Sequence, residues 1–266
     1  DRGRSRNPGD QVMRTSFLFR IALVAALLSA PVAASAADYE SWLAAPNAMR
    51  WQSDNPWKVN LAAGIGIGPR YEYSRGTSTR ILPLIDVEWR GTFFASTQRG
   101  IGYNWLRSGN TVAGPRLTFD LGRKQGDDAF LSDTENVKST PEIGLFWARY
   151  SGSLRLNADL KMATSSHKGV HGAIGIANGG RLSANTTMFA GLEAHYASKK
   201  YNFAYYAQGD HSVNDITPYL MLVRDLSNGM YVTVDGRMSF VLGAASQTNI
   251  NGARSYSSGV MFGKRF

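Results

Sequence analysis

The chain has 266 residues, of which 43% are hydrophobic and 18% are charged, and its formal net charge is +9. This composition excludes a disordered chain, and the absence of cysteine excludes disulfides, thiolate nucleophiles and Cys-ligated metals. The 28 Gly, 12 Phe, 12 Tyr and 6 Trp favour many strands and tight turns over long helices.

The N-terminal region has the order of features that is typical of a secretory signal peptide. Arg14 and Arg20 supply positive charge, residues 21–28 form an apolar run too short to span a bilayer, and residues 31–36 form a small-residue cleavage site. We therefore expect residues 1–36 to be upstream sequence and signal peptide, and the mature protein to begin at Ala37. A packed N-terminal helix is the alternative.

The expected mature chain has 24 basic and 18 acidic residues, and its bases are scattered along the sequence. The sequence contains no run of Lys or Arg, so it predicts no nucleic-acid partner. Export from the cytoplasm argues against such a partner as well. The mature region also lacks any stretch of about 20 apolar residues, which excludes a helical membrane span.

Two-residue alternation between apolar and polar side chains runs through most of the mature chain. It is clearest over residues 154–162, where Leu and Met alternate with Arg155, Asn157, Asp159 and Lys161. A strand of a membrane barrel needs one face for lipid and one for the lumen, which this pattern supplies. The sequence therefore predicts an all-β fold, a transmembrane antiparallel up-and-down β-barrel formed by residues 37–266, in which residues 37–56 form a periplasmic N-terminal segment.

Turn signals divide this region into about twelve strands, with ten as the alternative. The predicted strands begin near residues 57, 79, 91, 110, 139, 153, 169, 186, 200, 214, 229 and 255. Long polar connections such as residues 123–137 are expected outside the cell, and short ones such as residues 150–153 in the periplasm. Trp42, Trp51 and Trp57 are interpreted as residues of an interfacial aromatic girdle rather than as a carbohydrate-stacking platform.

The polar faces of the predicted strands carry charges of both signs, which suits an enclosed polar lumen. A soluble periplasmic sandwich or lipocalin-like barrel would show similar alternation with its apolar face inward, and it remains the alternative fold. The residues predicted to face the lumen are Asp86, Glu88, Arg116, Asp120, Arg155, Asp159, Lys161, Asp235 and Arg237.

The last segment ends on an aromatic residue, with apolar side chains repeated on one face. Tyr256, Val260, Phe262 and Phe266 resemble the C-terminal signal that the barrel-assembly machinery recognises in its substrates. Lys264 departs from that pattern, because an aromatic residue is common at its position. Recognition by this machinery and insertion into outer-membrane lipid are thus predicted.

An ordered series of short segments is similar to the family of MltA-interacting proteins and OmpV-type outer-membrane proteins. The series spans most of the mature chain, and its members are residues 64–71, 82–86, 99–104, 114–117 with 122–123, 141–146 and 171–172. The resemblance implies a location in the outer membrane and a non-enzymatic role as a scaffold between a lytic transglycosylase and a penicillin-binding protein. It also leaves open a narrow porin-like channel or a surface adhesin or antigen.

Catalytic and metal-binding patterns are weak in this sequence. His167, His171, His195 and His211 form no H-E-x-x-H motif and no recognisable cluster with a carboxylate partner, so we interpret them as surface residues. Residues 210–212 and 127–128 offer acid and base groups in polar loops, but adjacent strand residues face opposite sides. We therefore predict no catalytic residues, no metal and no cofactor.

Overall fold

The computed structural model describes residues 55–266. The predicted signal peptide, the cleavage site before Ala37, Trp42, Trp51 and nearly all of the predicted segment 37–56 lie outside the described residues. No helix within residues 55–266 is long and apolar enough to cross a membrane.

The described chain forms one antiparallel sheet that closes on itself. Because β4 pairs with β6 at Gly102 and β5 pairs with the same strand at Leu106, these two short strands share one position in the ring. The barrel therefore has twelve strand positions, which confirms the predicted fold and strand number. The strands are β1 (Trp57–Pro69), β2 (Thr77–Trp89), β3 (Phe93–Ser96), β4 (Gly100–Tyr103), β5 (Leu106–Ser108), β6 (Thr111–Asp120), β7 (Thr140–Ser151), β8 (Leu154–Ala163), β9 (Val170–Ser183), β10 (Thr186–Ala197), β11 (Ser212–Asp225), β12 (Met230–Val241) and β13 (Arg254–Arg265).

Two errors in the predicted strands cancel in the total of twelve. The strand predicted near residue 200 is wrong, because α1 (Lys199–Tyr206) is a helix that buries Tyr201, Tyr205 and Tyr206 on one face. The strand predicted near residue 91 is two short strands, β3 and β4, joined by a turn at residues 97–99. A second, four-residue helix, α2 (Gly243–Ser246), lies between β12 and β13.

Most of the large apolar side chains of the strands point out of the barrel. Ile81 is 79% exposed, and Ile174 is 66% exposed. In β8, Leu160 is half exposed while the neighbouring Lys161 is buried. A soluble barrel would bury its apolar face, so this orientation excludes the soluble alternative and suits a barrel surrounded by lipid.

Aromatic rings follow one another across the outer surface near one rim of the barrel. Trp57 lies 6.2 Å from Trp89, which lies 5.9 Å from Phe93, and Phe93 lies 4.9 Å from Tyr103. These four residues are neighbours in the strand register, so the row is continuous over β1 to β4. Its place beside the apolar surface is that of an interfacial girdle.

The two ends of the barrel have connections of different lengths. At the short-turn end, residues 90–92, 109–110, 152–153, 184–185 and 226–229 join the strands. At the long-loop end, the connections are residues 70–76, 97–99, 121–139, 164–169, 198–211 and 242–253. In outer-membrane barrels the short turns face the periplasm.

Candidate functional site

The barrel interior contains a cavity of about 340 Å³ lined mainly by polar and charged side chains. Seven of the nine residues predicted to face the lumen line it: Asp86, Glu88, Arg116, Arg155, Asp159, Lys161 and Arg237. The other two, Asp120 and Asp235, are buried. The alternation of each strand places these side chains on the enclosed face, opposite the exposed apolar residues.

Ion pairs join neighbouring and next-neighbour strands on the lumen side of the wall. Arg99 donates to both carboxylate oxygens of Asp86 at 3.1 and 2.5 Å and lies 3.8 Å from Glu88. Arg116 donates to Asp159 at 3.1 Å. Arg99 comes from the turn between β3 and β4, so no strand alternation could assign it to the lumen.

An apolar cluster also faces inward, which the sequence analysis did not predict. Phe189, Met221, Val223 and Tyr231 are buried together, and Ala62 packs against them. They lie in β10, β11, β12 and β1, in the half of each strand nearer the short-turn end. The residues of this cluster alternate with exposed apolar residues, so this part of each strand is apolar on both faces. The sequence pattern therefore does not indicate which of the two faces is enclosed.

The long-loop end is covered by a second buried cluster, which we call the cap. Its centre is the row of Tyr201, Tyr205 and Tyr206 on α1, where the Tyr201 and Tyr205 rings stack at 4.5 Å. The other members of the cap are Tyr73, Val137, Ala197, Val241 and Ala245. Tyr73 and Val137 come from loops on other sides of the barrel, so the cap joins separate parts of the mouth.

Hydrogen bonds between three loops show that the cap reaches across the mouth. Tyr206 donates to Glu72 at 2.6 Å, Arg123 donates to the Tyr205 carbonyl, and Ser74 donates to Asp128 at 3.4 Å. These bonds join the loops 198–211, 121–139 and 70–76 in pairs. Each of these loops is four strand positions from the next in the ring of twelve, so loops spaced evenly around the mouth can meet only over its centre.

The polar atoms of the cap are paired with buried carboxylates. Tyr201 also donates to Glu72 at 3.2 Å, Tyr205 donates to Asp120 at 2.6 and 2.8 Å, and Tyr73 donates to Asp215. Buried hydroxyls and carboxylates are costly without such partners. These bonds therefore fix the positions of α1 and of the 70–76 loop.

Burial keeps the cap tyrosines neutral. Removal from water, followed by the nearby charge of Glu72, raises the pKa of Tyr201 and of Tyr206 well above the usual 10. Burial and Asp120 raise the pKa of Tyr205 in the same direction. Burial lowers the pKa of the Arg123 guanidinium. At physiological pH the tyrosines are therefore hydrogen-bond donors to the carboxylates rather than competing anions.

The interpretation of the histidines as surface residues without carboxylate partners is wrong for three of them. His167 lies 3.2 Å from Asp120, His171 lies 2.6 Å from Glu142, and His195 lies 2.7 Å from Asp215. His171 also stacks on Tyr201 at 4.7 Å. Each partner is at least 20 residues away in sequence, so no local motif could reveal these pairs.

The described histidines and carboxylates do not gather into a metal site. Within residues 55–266, no group of three or more His, Asp or Glu side chains is arranged to hold a metal ion. The loop residues weighed as acid and base groups make structural contacts. Asp128 accepts from the Phe130 backbone at 3.2 Å, Asp127 accepts from the Lys124 backbone at 2.8 Å, and His211 pairs with Tyr196 at 2.8 Å.

The four residues of the predicted assembly signal lie on the outside of the barrel. Tyr256, Val260, Phe262 and Phe266 are each about half exposed. All but Phe266 belong to β13, which pairs with β1 to complete the wall. Their recognition by the assembly machinery stays a prediction.

Comparison with solved structures finds outer-membrane proteins that are similar to this chain. The chain is similar in structure to OmpT of Vibrio cholerae, with 8% identity, coverage of 81% of this chain and 99% of that chain, and a TM-score of 0.40. It is also similar to the outer-membrane channel DcaP of Acinetobacter baumannii, with 7% identity, coverage of 81% and 99%, and a TM-score of 0.40. For Neisserial surface protein A the values are 8% identity, coverage of 81% and 100%, and a TM-score of 0.27. A search of curated proteins finds no match.

The sequence profile described as MltA-interacting protein MipA matches residues 61–264, which run from the first strand to the last. This match confirms the resemblance drawn from the ordered short segments. The apolar exterior and closed sheet place the chain in the outer membrane. This outer-membrane barrel therefore belongs to the family of MltA-interacting protein MipA.

Proposed function

We propose that this protein is a non-enzymatic outer-membrane scaffold for peptidoglycan-remodelling enzymes. The observation that carries the proposal is the cap, in which three evenly spaced loops meet over the mouth of the barrel. A barrel that is blocked at its outer end is better suited to holding a partner than to passing solutes. The family description, which names interaction with MltA, supports a lytic transglycosylase as one partner.

The partner would bind at the short-turn end, which faces the periplasm in barrels of this type. Its five turns are two to four residues long, so they form a low, rigid rim rather than a set of mobile loops. The predicted N-terminal segment, residues 37–56, would enter β1 at the same end and could add contact area. A penicillin-binding protein is the second proposed partner, on the resemblance alone.

A pull-down tests the scaffold role. The purified full-length barrel, immobilised in detergent, is incubated separately with a lytic transglycosylase and with a penicillin-binding protein from the same bacterium. We expect retention of the transglycosylase, and we expect substitutions in turns 109–110 and 184–185 to weaken it. Substitutions in loops 164–169 and 242–253 provide the control at the other end. Retention of neither enzyme by the folded barrel would refute the proposal.

A narrow channel is the second candidate, and the charged cavity of about 340 Å³ is the observation that favours it. Side chains of both signs line this space and would attract small ions. Planar-bilayer recording separates the two roles. Discrete, reproducible openings of the unmodified barrel would support the channel and count against the scaffold as the main role.

A further inference from the structure

Every strand position that runs toward the short-turn end finishes with an exposed basic residue. β2 is followed directly by Arg90. Each of the other five strand positions that run toward the short-turn end carries an exposed Arg or Lys within its last three residues. These five residues are Arg107, Arg149, Arg181, Arg224 and Lys264. Residues scattered over the sequence are thereby gathered on a single rim, which we call the basic rim.

Three residues of the basic rim lie on the lipid-facing side of the wall. Arg149 follows Leu145 and Trp147 at two-residue spacing, and both of these are exposed on the outer surface. In the same way Arg224 follows Leu220 and Leu222, and Lys264 follows Val260 and Phe262. Alternation therefore directs these three bases outward, just beyond the apolar band.

Aromatic neighbours place the basic rim at the level of the membrane interface. The Arg90 guanidinium lies 5.1 Å from the Trp89 ring, and the Lys264 ammonium lies 4.8 Å from the Phe266 ring. Trp89 belongs to the aromatic row of the outer surface. Long basic side chains at such a position keep their carbon stems in the apolar layer and extend their charge to the headgroups.

The basic rim differs in charge from the opposite end. Among residues 55–266, two acidic side chains lie near the short-turn end: Asp225 is paired with Arg265 at 2.8 Å, and Glu88 lines the lumen, 3.8 Å from Arg99. The long-loop end exposes side chains of both signs: the acids Asp127, Asp133, Glu135 and Asp210 lie among the bases Arg70, Arg75, Lys124, Lys138, Lys168, Lys199, Lys200 and Arg254. Bases that face outward without acids beside them attract the opposite charge of a surrounding surface.

We propose that the basic rim binds the phosphate groups of anionic phospholipids in the periplasmic leaflet. The outward direction of Arg149, Arg224 and Lys264 selects the membrane rather than an acidic protein, because a soluble partner would dock on the end of the barrel and not on its lipid-facing side. Arg149, Arg224 and Lys264 lie on three different strands, β7, β11 and β13, so they would hold several lipids at once. The barrel would thereby carry bound anionic lipid at three places on its outer wall and resist tilting in the membrane.

Lipid retention by matched triple variants tests this proposal. The full barrel is folded into vesicles of phosphatidylethanolamine with about one-quarter phosphatidylglycerol, extracted in mild detergent, and analysed for the ratio of the two lipids that remain bound. The rim variant is R149Q/R224Q/K264Q, and the control is K124Q/K138Q/K200Q, which removes the same charge at the long-loop end. Heat-modifiable gel migration shows that each variant is folded.

We expect the rim variant to lose phosphatidylglycerol enrichment by about fivefold or more, and the control to keep it. Enrichment in the unmodified barrel should also fall as salt is raised, because the contacts are electrostatic. Equal enrichment in the rim variant and the unmodified protein would overturn the proposal. A rim variant that lost transglycosylase binding but kept its phosphatidylglycerol would also overturn the lipid proposal, and would assign the basic rim to a protein partner. Loss of phosphatidylglycerol with the transglycosylase retained would support the lipid proposal and leave the scaffold role intact.

Discussion

The two ends of this barrel are held together in different ways. At the long-loop end, the cap depends on bonds between residues far apart in sequence, such as Tyr206 with Glu72, 134 residues away. At the short-turn end, the turns themselves are held by local bonds, such as the Thr92 amide with the Trp89 carbonyl. The cap is therefore a cooperative unit, in which the loss of one contact weakens the others. Each short turn, in contrast, is stabilised independently of the other turns. This difference leads to measurable consequences.

The largest effect is expected when the rings of the cap are removed. Tyr201→Ala with Tyr206→Ala deletes two buried rings and their bonds to Glu72. Loss of a large buried side chain costs roughly 3 to 5 kcal/mol for each ring. We expect a large fall in the free energy of unfolding and a rise in single-channel conductance, measured by denaturant titration and by planar-bilayer recording.

Phe203→Ala is the matched control for this double variant. Phe203 lies on the same helix but is 67% exposed, so its removal should change the free energy of unfolding by about 0.5 kcal/mol or less. Conductance should stay at the level of the unmodified barrel. If the unmodified barrel already conducts as well as the double alanine variant, the cap does not block the mouth.

High pH should weaken the cap without any mutation. The pKa values of Tyr201, Tyr205 and Tyr206 are raised in the folded protein by burial and by nearby carboxylates. Their contribution to stability is complete below pH 10 and is lost as pH rises from 10 through the folded pKa values. The free energy of unfolding should fall by up to about 1.4 kcal/mol per pH unit for each protonated tyrosine.

Phenolate absorbance and unfolding measured together between about pH 8 and pH 11, from two units below to one unit above the ordinary tyrosine pKa, check this expectation. Tyr201→Phe with Tyr206→Phe keeps the rings but removes two ionisable hydroxyls, so its stability should depend less steeply on pH. Titration of all tyrosines at their ordinary pKa, with no loss of stability above pH 10, would contradict a buried cap.

A smaller effect is expected at the acceptor shared by two cap tyrosines. Glu72→Ala leaves the hydroxyls of Tyr201 and Tyr206 without their acceptor and should cost about 2 kcal/mol. Glu72→Gln keeps an acceptor oxygen and should cost less. Glu135→Ala removes an exposed carboxylate of the 121–139 loop and should be close to neutral. Equal stability of Glu72→Ala and Glu135→Ala would show that Glu72 does not anchor the cap.

The same contrast explains how much of the molecule the sequence could reveal. Local alternation predicts the closed barrel, its twelve strand positions and the charges of the enclosed face, because each strand must present one face to lipid. It even places Lys161 and Leu160 on opposite sides of the wall, as the structure does. The short turns are equally local, so most predicted strand starts lie within about two residues of the observed ones.

The cap could not be predicted, because its contacts join separate loops. The segment Lys199–Tyr206 is rich in tyrosine, which favours strands, and only tertiary packing makes it helical. The carboxylate partners of His167, His171 and His195 could not be predicted either, because they too are distant in sequence. The basic rim could not be predicted from the charge composition either, because its residues are separated in sequence and come to one end of the barrel only after the hairpins fold.

The smallest effect should come from a glycine in a short turn. Gly152 has a φ of +59°, and a Cβ added there would contact nothing within 4 Å, so Gly152→Ala should cost only the backbone strain of about 1 kcal/mol. Gly122 has a similar φ of +71° near the cap, but an added Cβ would lie 2.1 Å from the Val137 carbonyl oxygen. Gly122→Ala should therefore displace the 121–139 loop, lower the free energy of unfolding several-fold more and raise conductance, while Gly152→Ala leaves conductance unchanged. Equal losses of stability from the two substitutions would mean that the ends of the barrel do not differ in cooperativity.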